Sequence, residues 1–157
     1  MPSNRIEFDT SRGAPFIRRV LGTFFRRYRS RLKDAVDDGS KRGMEDAIDE
    51  WRREATDLAP LKTGDLRRGI SGEVKKDGDT YVGEVTATAV TTRGGRRFDY
   101  AAYIQDVYPR KYGETFGNPT TAGTIPRFID VPAEEHEREW IEQIGREIKA
   151  ELRRRGL

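Results

Sequence analysis

A single imidazole set among carboxylates offers the best prospect of chemistry in this chain. His136 lies in the run Glu134-Glu135-His136-Glu137, with Glu139 three residues further on. A nucleophilic triad needs a base that a second group orients, whereas an imidazole on a turn of glutamates is expected to be solvated. His136 and Glu139 share a helical face and would supply two ligands for a metal ion, a spacing that recurs by chance and reads more plainly as surface charge. Asp77-Gly78-Asp79 lacks the alternating ligands and the later glutamate of a calcium loop. Gly94-Gly95 runs into Arg96-Arg97, not into the lysine and hydroxyl that close a phosphate loop. The absence of cysteine removes disulfides, thiolate zinc sites, iron-sulfur clusters and cysteine nucleophiles together. No catalytic residue, metal or cofactor is therefore expected, and the chain reads as a non-enzyme.

Composition sets the frame for this search. The 157 residues are 34% hydrophobic and 36% charged, against about 25% charged in average domains, which predicts one domain over residues 1–157 with a modest core. No apolar run approaches the roughly 20 residues that span a bilayer, and residues 1–9 lack the apolar stretch of a signal peptide. A soluble, non-exported protein is expected. The net charge of +3 hides a segregated distribution. Residues 12–33 carry eight bases and no acid, 44–66 carry seven acids against three bases, and 134–151 again seven against three. Such blocks suit nucleic acid, an anionic surface or pairing between subunits, although a charge run is usually a solvated helix face.

Apolar spacing places the elements. Residues 1–12 read as a polar arm. Pro15 opens a helix whose stripe is Ile17, Leu21, Phe24, Tyr28, Leu32 and Val36. Gly39 is a plausible stop, and Ser40 a plausible cap for a second helix with the stripe Met44, Ile48, Trp51, Ala55 and Leu58, ended by Pro60. Strand character follows at 70–75 and 81–90, joined by the turn 76–79. In the second strand Gly83, Val85, Ala87 and Ala89 form a small apolar face. Arg93-Gly94-Gly95-Arg96-Arg97 reads as a basic flexible turn, and 98–108 as a short helix or a helix-strand junction. The stretch 109–127, with its proline and glycine, reads as a long loop that contacts a partner. A last helix starts at Ala133 with the stripe Trp140 or Ile141, Ile144, Ile148 and Leu152. The predicted fold class is α+β: an antiparallel, hairpin-based sheet packed against a long N-terminal helix and a C-terminal helix.

One ordered set of short motifs is more specific than any of these. A helix runs into Ala59-Pro60-Leu61-Lys62-Thr63-Gly64-Asp65-Leu66-Arg67, followed by a hairpin, Tyr100-Ala101-Ala102-Tyr103-Ile104, then Arg127-Phe128-Ile129-Asp130-Val131-Pro132-Ala133 and a closing helix. In order and spacing this resembles the neck or tail-completion proteins of long-tailed phages and related viruses, over about residues 41–152. The matching positions are Ala59, Pro60, Thr63, Gly64, Leu66, Tyr100, Ala101, Tyr103, Phe128, Pro132 and Ala133. The chain departs from the family at Gly69, where serine is usual, at Gln105-Asp106, where Glu-Gly is usual, and at Arg127, where proline is usual.

The resemblance implies a structural virion protein, a six-fold ring in the neck between the portal or connector and the tail tube or tail terminator. It implies no cofactor and no membrane, and it allows transient contact with viral DNA in the lumen. Heterologous, head-to-tail contacts would set the basic segment 12–33, including Arg26, Arg27 and Arg29, against acid-rich surface of a neighbour, with Tyr108, Tyr112 and Phe116 buried at a subunit or partner contact. The alternative is a nucleic-acid-binding module using Arg18, Arg19, Arg26, Arg27, Arg29 and Arg31, joined by Arg93, Arg96 and Arg97. A third class, a peripheral membrane protein, rests on the mixture of bulky apolar residues and arginines in 14–36.

Overall fold

The computed structural model describes residues 3–9, 29–61 and 64–157. The expected first helix up to Tyr28, including Arg26 and Arg27, and the motif residue Thr63 lie outside them. From Arg29 the chain forms one helix, α1 (Arg29–Leu58), and the expected break at Gly39 is absent. Buried positions 35, 36, 39, 40, 43, 44, 47, 48, 51 and 55 make one stripe at intervals of three and four that runs straight through the glycine. Ser40 does not cap a helix. Its hydroxyl donates back to the Val36 carbonyl at 2.6 Å, inside the helix.

After Pro60 comes a single turn, α2 (Asp65–Arg68), then the hairpin β2 (Ile70–Asp77) and β3 (Thr80–Ala87). Gly78 has the positive φ of 60° that the turn requires. Residues 3–9 are not a plain arm: Ser3–Asp9 is strand β1, and the sheet order β1-β3-β2 puts β3 in the centre. The alternation Arg5-Ile6-Glu7-Phe8-Asp9 is the pattern of a strand. β3 ends three residues earlier than expected, and the chain starts a second hairpin, β4 (Val90–Arg93) and β5 (Arg96–Asp99). The basic turn is its tip, with Gly94 and Gly95 both at positive φ, 55° and 74°.

Residues 98–108 resolve into the end of β5 and a helical run: α3 (Tyr100–Ala102), a π-helical turn (Tyr103–Val107) and α4 (Tyr108–Tyr112). Asp99 starts it by accepting from the Ala102 amide at 3.1 Å. Residues 109–112 are thus helical, since Pro109 sits in the first turn, where its missing N–H is not needed. The irregular loop is 113–129. The last helix, α5 (Asp130–Arg154), begins three residues before Ala133 for the same reason, with Pro132 inside its first turn. The architecture is α+β: a long helix, two antiparallel hairpins and a C-terminal helix.

The described residues divide into two compact units, and α1, α5 and the first hairpin each contribute to both. One unit contains residues 3–5, 48–61, 64–73 and 84–137. Its core is Ile48, Trp51, Ala55, Leu66, Ile70, Val85, Ala87, Ile104, Phe128 and Ile129. Trp51 donates its indole N–H to the Ile129 carbonyl at 2.8 Å, and Gly72 lets β2 lie against Ile48. The expected small face of β3 is buried here at Val85, Ala87 and Ala89.

The other unit contains residues 6–9, 29–47, 74–83 and 138–157. There α1 meets α5 at unusually short range: a Cβ on Gly39 would lie 2.7 Å from the Ile148 Cα, and one on Gly43 the same distance from the Ile144 Cα. The glycines therefore serve close backbone approach. Met44, Trp140 and Ile144 are buried beside this crossing, while Ile141 points outward. The tip of the first hairpin is tied to α1 where the Tyr81 hydroxyl donates to Asp37 at 2.9 Å and Lys76 pairs with the same carboxylate.

Candidate functional site

The Ala59–Arg67 motif builds a corner. Arg67 reaches back over the end of α1, its Nε donating to the Ala59 carbonyl at 2.8 Å and its Nη2 to the Asp57 carbonyl at 3.1 Å, which satisfies carbonyls that a helix end leaves open. Gly64, at φ 77°, turns the chain in a region that most residues avoid, and Leu66 is buried beneath it. The departure at Gly69 has a steric reason: a Cβ there would fall 1.8 Å from the Thr88 carbonyl oxygen. This corner holds backbone in place and offers no reactive group.

The tyrosine segment carries a run of touching rings. Phe98 meets Tyr103 at 5.5 Å between centroids, Tyr103 meets Tyr108 at 6.4 Å, and Tyr108 meets both Tyr112 and Phe116 at 5.0 Å. Ala101 and Ile104 on the same helical run are buried, so the rings are held on a fixed base. Tyr112 nevertheless stays 65% exposed. The spacing of tyrosines every four or five residues is visible in the sequence, whereas the π turn that aligns 103 with 108 is not.

Beside the rings lies a notch that the sequence reading missed. Gln105, Asp106, Arg110, Glu114, Arg127 and Asp130 line it. Arg127 sits among carboxylates, 3.1 Å from Glu114 and 3.7 Å from Asp130, and it also pairs with Glu134. Its φ of 55° is closed to proline, which explains why the proline usual here cannot occupy this chain's conformation. Gln105 accepts from the Ile129 amide at 3.1 Å. The signal that could have found the site is the pair of departures themselves, Gln105 and Arg127.

At the far end of α5, in the other unit, Glu151 is buried and gathers three arginines. Arg155 donates to it at 2.6 Å, Arg154 at 2.7 Å and Arg42 approaches at 3.1 Å. The Arg155 hydrogen bond, helped by Arg154 and Arg42, holds the Glu151 carboxyl below the usual carboxylate range. A depressed folded-state pKa stabilises the fold above the unfolded value of about 4.3, and that stabilisation is lost as pH falls through the folded value. Glu151→Gln is therefore expected to be less stable than the parent at neutral pH, with the gap narrowing on acidification below about pH 4. Urea titrations of both proteins across that range check it, and a gap that stayed constant would contradict it.

The other predicted residues are dispersed. His136 is half-buried and faces Glu54 at 3.4 Å and Glu135 at 3.9 Å. Burial raises the Glu54 carboxyl. Among the described residues, no group of three or more His, Cys, Asp or Glu side chains could hold a metal ion, and no helix is long and apolar enough to cross a membrane. Phe128, Pro132 and Ala133 are buried at the start of α5, and Arg29 is exposed at the start of α1. Part of the acid-rich surface is neutralised within the chain, by Lys41 on Glu45, Arg52 on Asp49 and Arg138 on Glu142.

The corner, the first and second hairpins and the tyrosine helix all fall within one stretch, residues 25–115, that matches the HK97-gp10-like family, described as a bacteriophage tail component. The chain belongs to the HK97-gp10-like family. Membership makes it a structural component of a tailed phage virion and fits the head-to-tail joining proteins whose motif order the sequence resembles. The matched stretch ends before α5, so Arg127 and Asp130 of the notch, and Glu151, Arg154 and Arg155 of the cluster, lie outside the match. No curated protein and no solved structure matches.

Proposed function

We propose that this HK97-gp10-like protein acts as a single domain that assembles into a six-fold ring in the phage neck, joining the DNA-filled head to the tail. The observation that carries the reading is family membership across 25–115, the stretch that holds the Ala59–Arg67 corner and the tyrosine run. Its physical support is the set of oriented contacts at the corner and along the tyrosine run. The exposed Tyr112 edge, backed by Tyr108 and Phe116, offers a rigid aromatic contact for a neighbouring copy or a connector protein. A heterologous contact pairs unlike surfaces and closes into a ring, which suits a chain with segregated charge. The basic segment 12–33 would set register and association rate at that contact.

Interrupting the gene in the phage that encodes the chain tests the proposal. Lysates are expected to contain DNA-filled heads and separate tails under the electron microscope, with joined particles restored by the gene supplied in trans. Infectious, tailed particles at the normal yield without the protein would overturn it.

A further inference from the structure

The β4–β5 hairpin is built in a way that core packing does not explain. All four residues of β4 and the first two of β5 are exposed. An isolated two-stranded ribbon is marginal in water, yet this one places like charges opposite each other. Arg93 is the cross-strand partner of Arg96, and Arg97 stands opposite Thr92. Like charges directly across a ladder are destabilising. None of these three guanidinium groups pairs with a carboxylate of the described residues, whereas Arg52, Arg68, Arg138 and Arg154 each do.

We propose that the tip of the β4–β5 hairpin is a nucleic-acid contact, in which Arg93, Arg96 and Arg97 grip the phosphate backbone of duplex DNA. Cross-strand pairs share a face, so Arg93 and Arg96 form a fork beside the two-glycine turn, and Arg97 projects from the other face with Thr92. Guanidinium forks match phosphate oxygens, and the Thr91 and Thr92 hydroxyls add neutral donors of the kind that contact DNA backbones. A two-stranded ribbon is narrow enough to follow a groove. An acidic protein surface is the competing occupant, and the composition of the tip disfavours it. Protein contacts need a buried apolar centre, whereas Arg93-Gly94-Gly95-Arg96-Arg97 has no apolar side chain to bury. This contact goes beyond the neck assignment and does not depend on it, because it is measured on the isolated chain.

The test is fluorescence anisotropy of the full chain with a labelled, mixed-sequence DNA duplex over a series of salt concentrations. Replacing Arg93, Arg96 and Arg97 together by Ser is expected to leave the melting curve unchanged, because the tip is exposed. It is expected to lower the slope of log affinity against log salt by about 3, since each neutralised phosphate contributes about 0.9. Over a fourfold rise in salt, the parent would then weaken about forty-fold more than the variant. A control replaces Arg138, Arg146 and Arg153 of α5 by Ser, which removes the same charge from another exposed face. A slope near the parent's in the control supports the hairpin, and an equal loss in both variants overturns it. Unchanged DNA binding by the hairpin variant, with self-association lost in sedimentation at low salt, would also overturn it in favour of an acidic neighbour.

Discussion

Trp51→Ala is expected to remove about 3–5 kcal/mol of stability, the range for truncating a buried aromatic side chain. Trp51 is wholly inaccessible and lies among Ala55, Phe128 and Ile129, in the unit that contains the Ala59–Arg67 corner. Truncation has two consequences there. It leaves a large cavity, and it removes the hydrogen bond that the indole donates to the Ile129 carbonyl at 2.8 Å. The lost hydrogen bond contributes about 0.5–1.5 kcal/mol of the loss. Since whole domains are stable by only about 5–15 kcal/mol, the variant should unfold at a much lower urea midpoint. Trp51→Phe separates the two effects: it refills most of the volume, and its remaining deficit reports the hydrogen bond. Equal midpoints for the parent and Trp51→Ala would mean that Trp51 is not part of the core.

Gly43→Ala is expected to destabilise the protein although it improves helix propensity. Alanine in a helix interior is favoured over glycine by about 1 kcal/mol, so a site with open space would gain stability. At Gly43 the added methyl would sit 2.7 Å from the Ile144 Cα and 3.2 Å from its Cβ. The obstacle is backbone, which no rotamer change relieves, so α1 and α5 must separate where Met44 and Ile144 are buried. Overpacking of this kind costs about 1–3 kcal/mol, and the loosened crossing exceeds the gain in propensity. Gly39→Ala meets the Ile148 Cα at the same 2.7 Å and should behave alike. The double variant should lose more than either single one, by chemical denaturation. Gly145→Ala is the control, because a Cβ there meets nothing within 4 Å and propensity alone should act. A stabilising Gly43→Ala would contradict the close crossing.

These glycines also show where the sequence was legible and where it was not. Periodicity identified the buried stripe of α1 from Met44 to Ala55 and the central residue Ile144 of α5, because a helical stripe depends only on spacing. The same sequence misplaced the end of a helix at Gly39, because glycine serves equally to stop a helix and to admit a neighbour, and only the position of Ile148 distinguishes the two. The first hairpin was readable from Asp77-Gly78, a local turn preference. The second shows in the sequence only as its turn, because four-residue strands with arginines on both sides carry no alternation to detect. Strand β1 has no partner nearby in sequence, since its neighbour β3 begins at Thr80.

For the site, the motif residues were legible as a family pattern, but their physical tasks were not. That Arg67 closes the end of α1 follows from its distances to the Ala59 and Asp57 carbonyls. That Arg127 replaces proline follows from a positive φ. The notch around Gln105 needs three segments, the π turn, the loop at Glu114 and the start of α5, which sequence separation hides.

The central claim, a ring of this protein between head and tail, is tested most directly by a cryo-electron microscopy reconstruction of the neck of the phage that encodes it. The account predicts a closed ring of six copies between the portal assembly and the tail tube, into whose density α1, both hairpins and α5 can be traced. A neck whose every layer is built from other chains, with this protein absent from the purified particle, would contradict it.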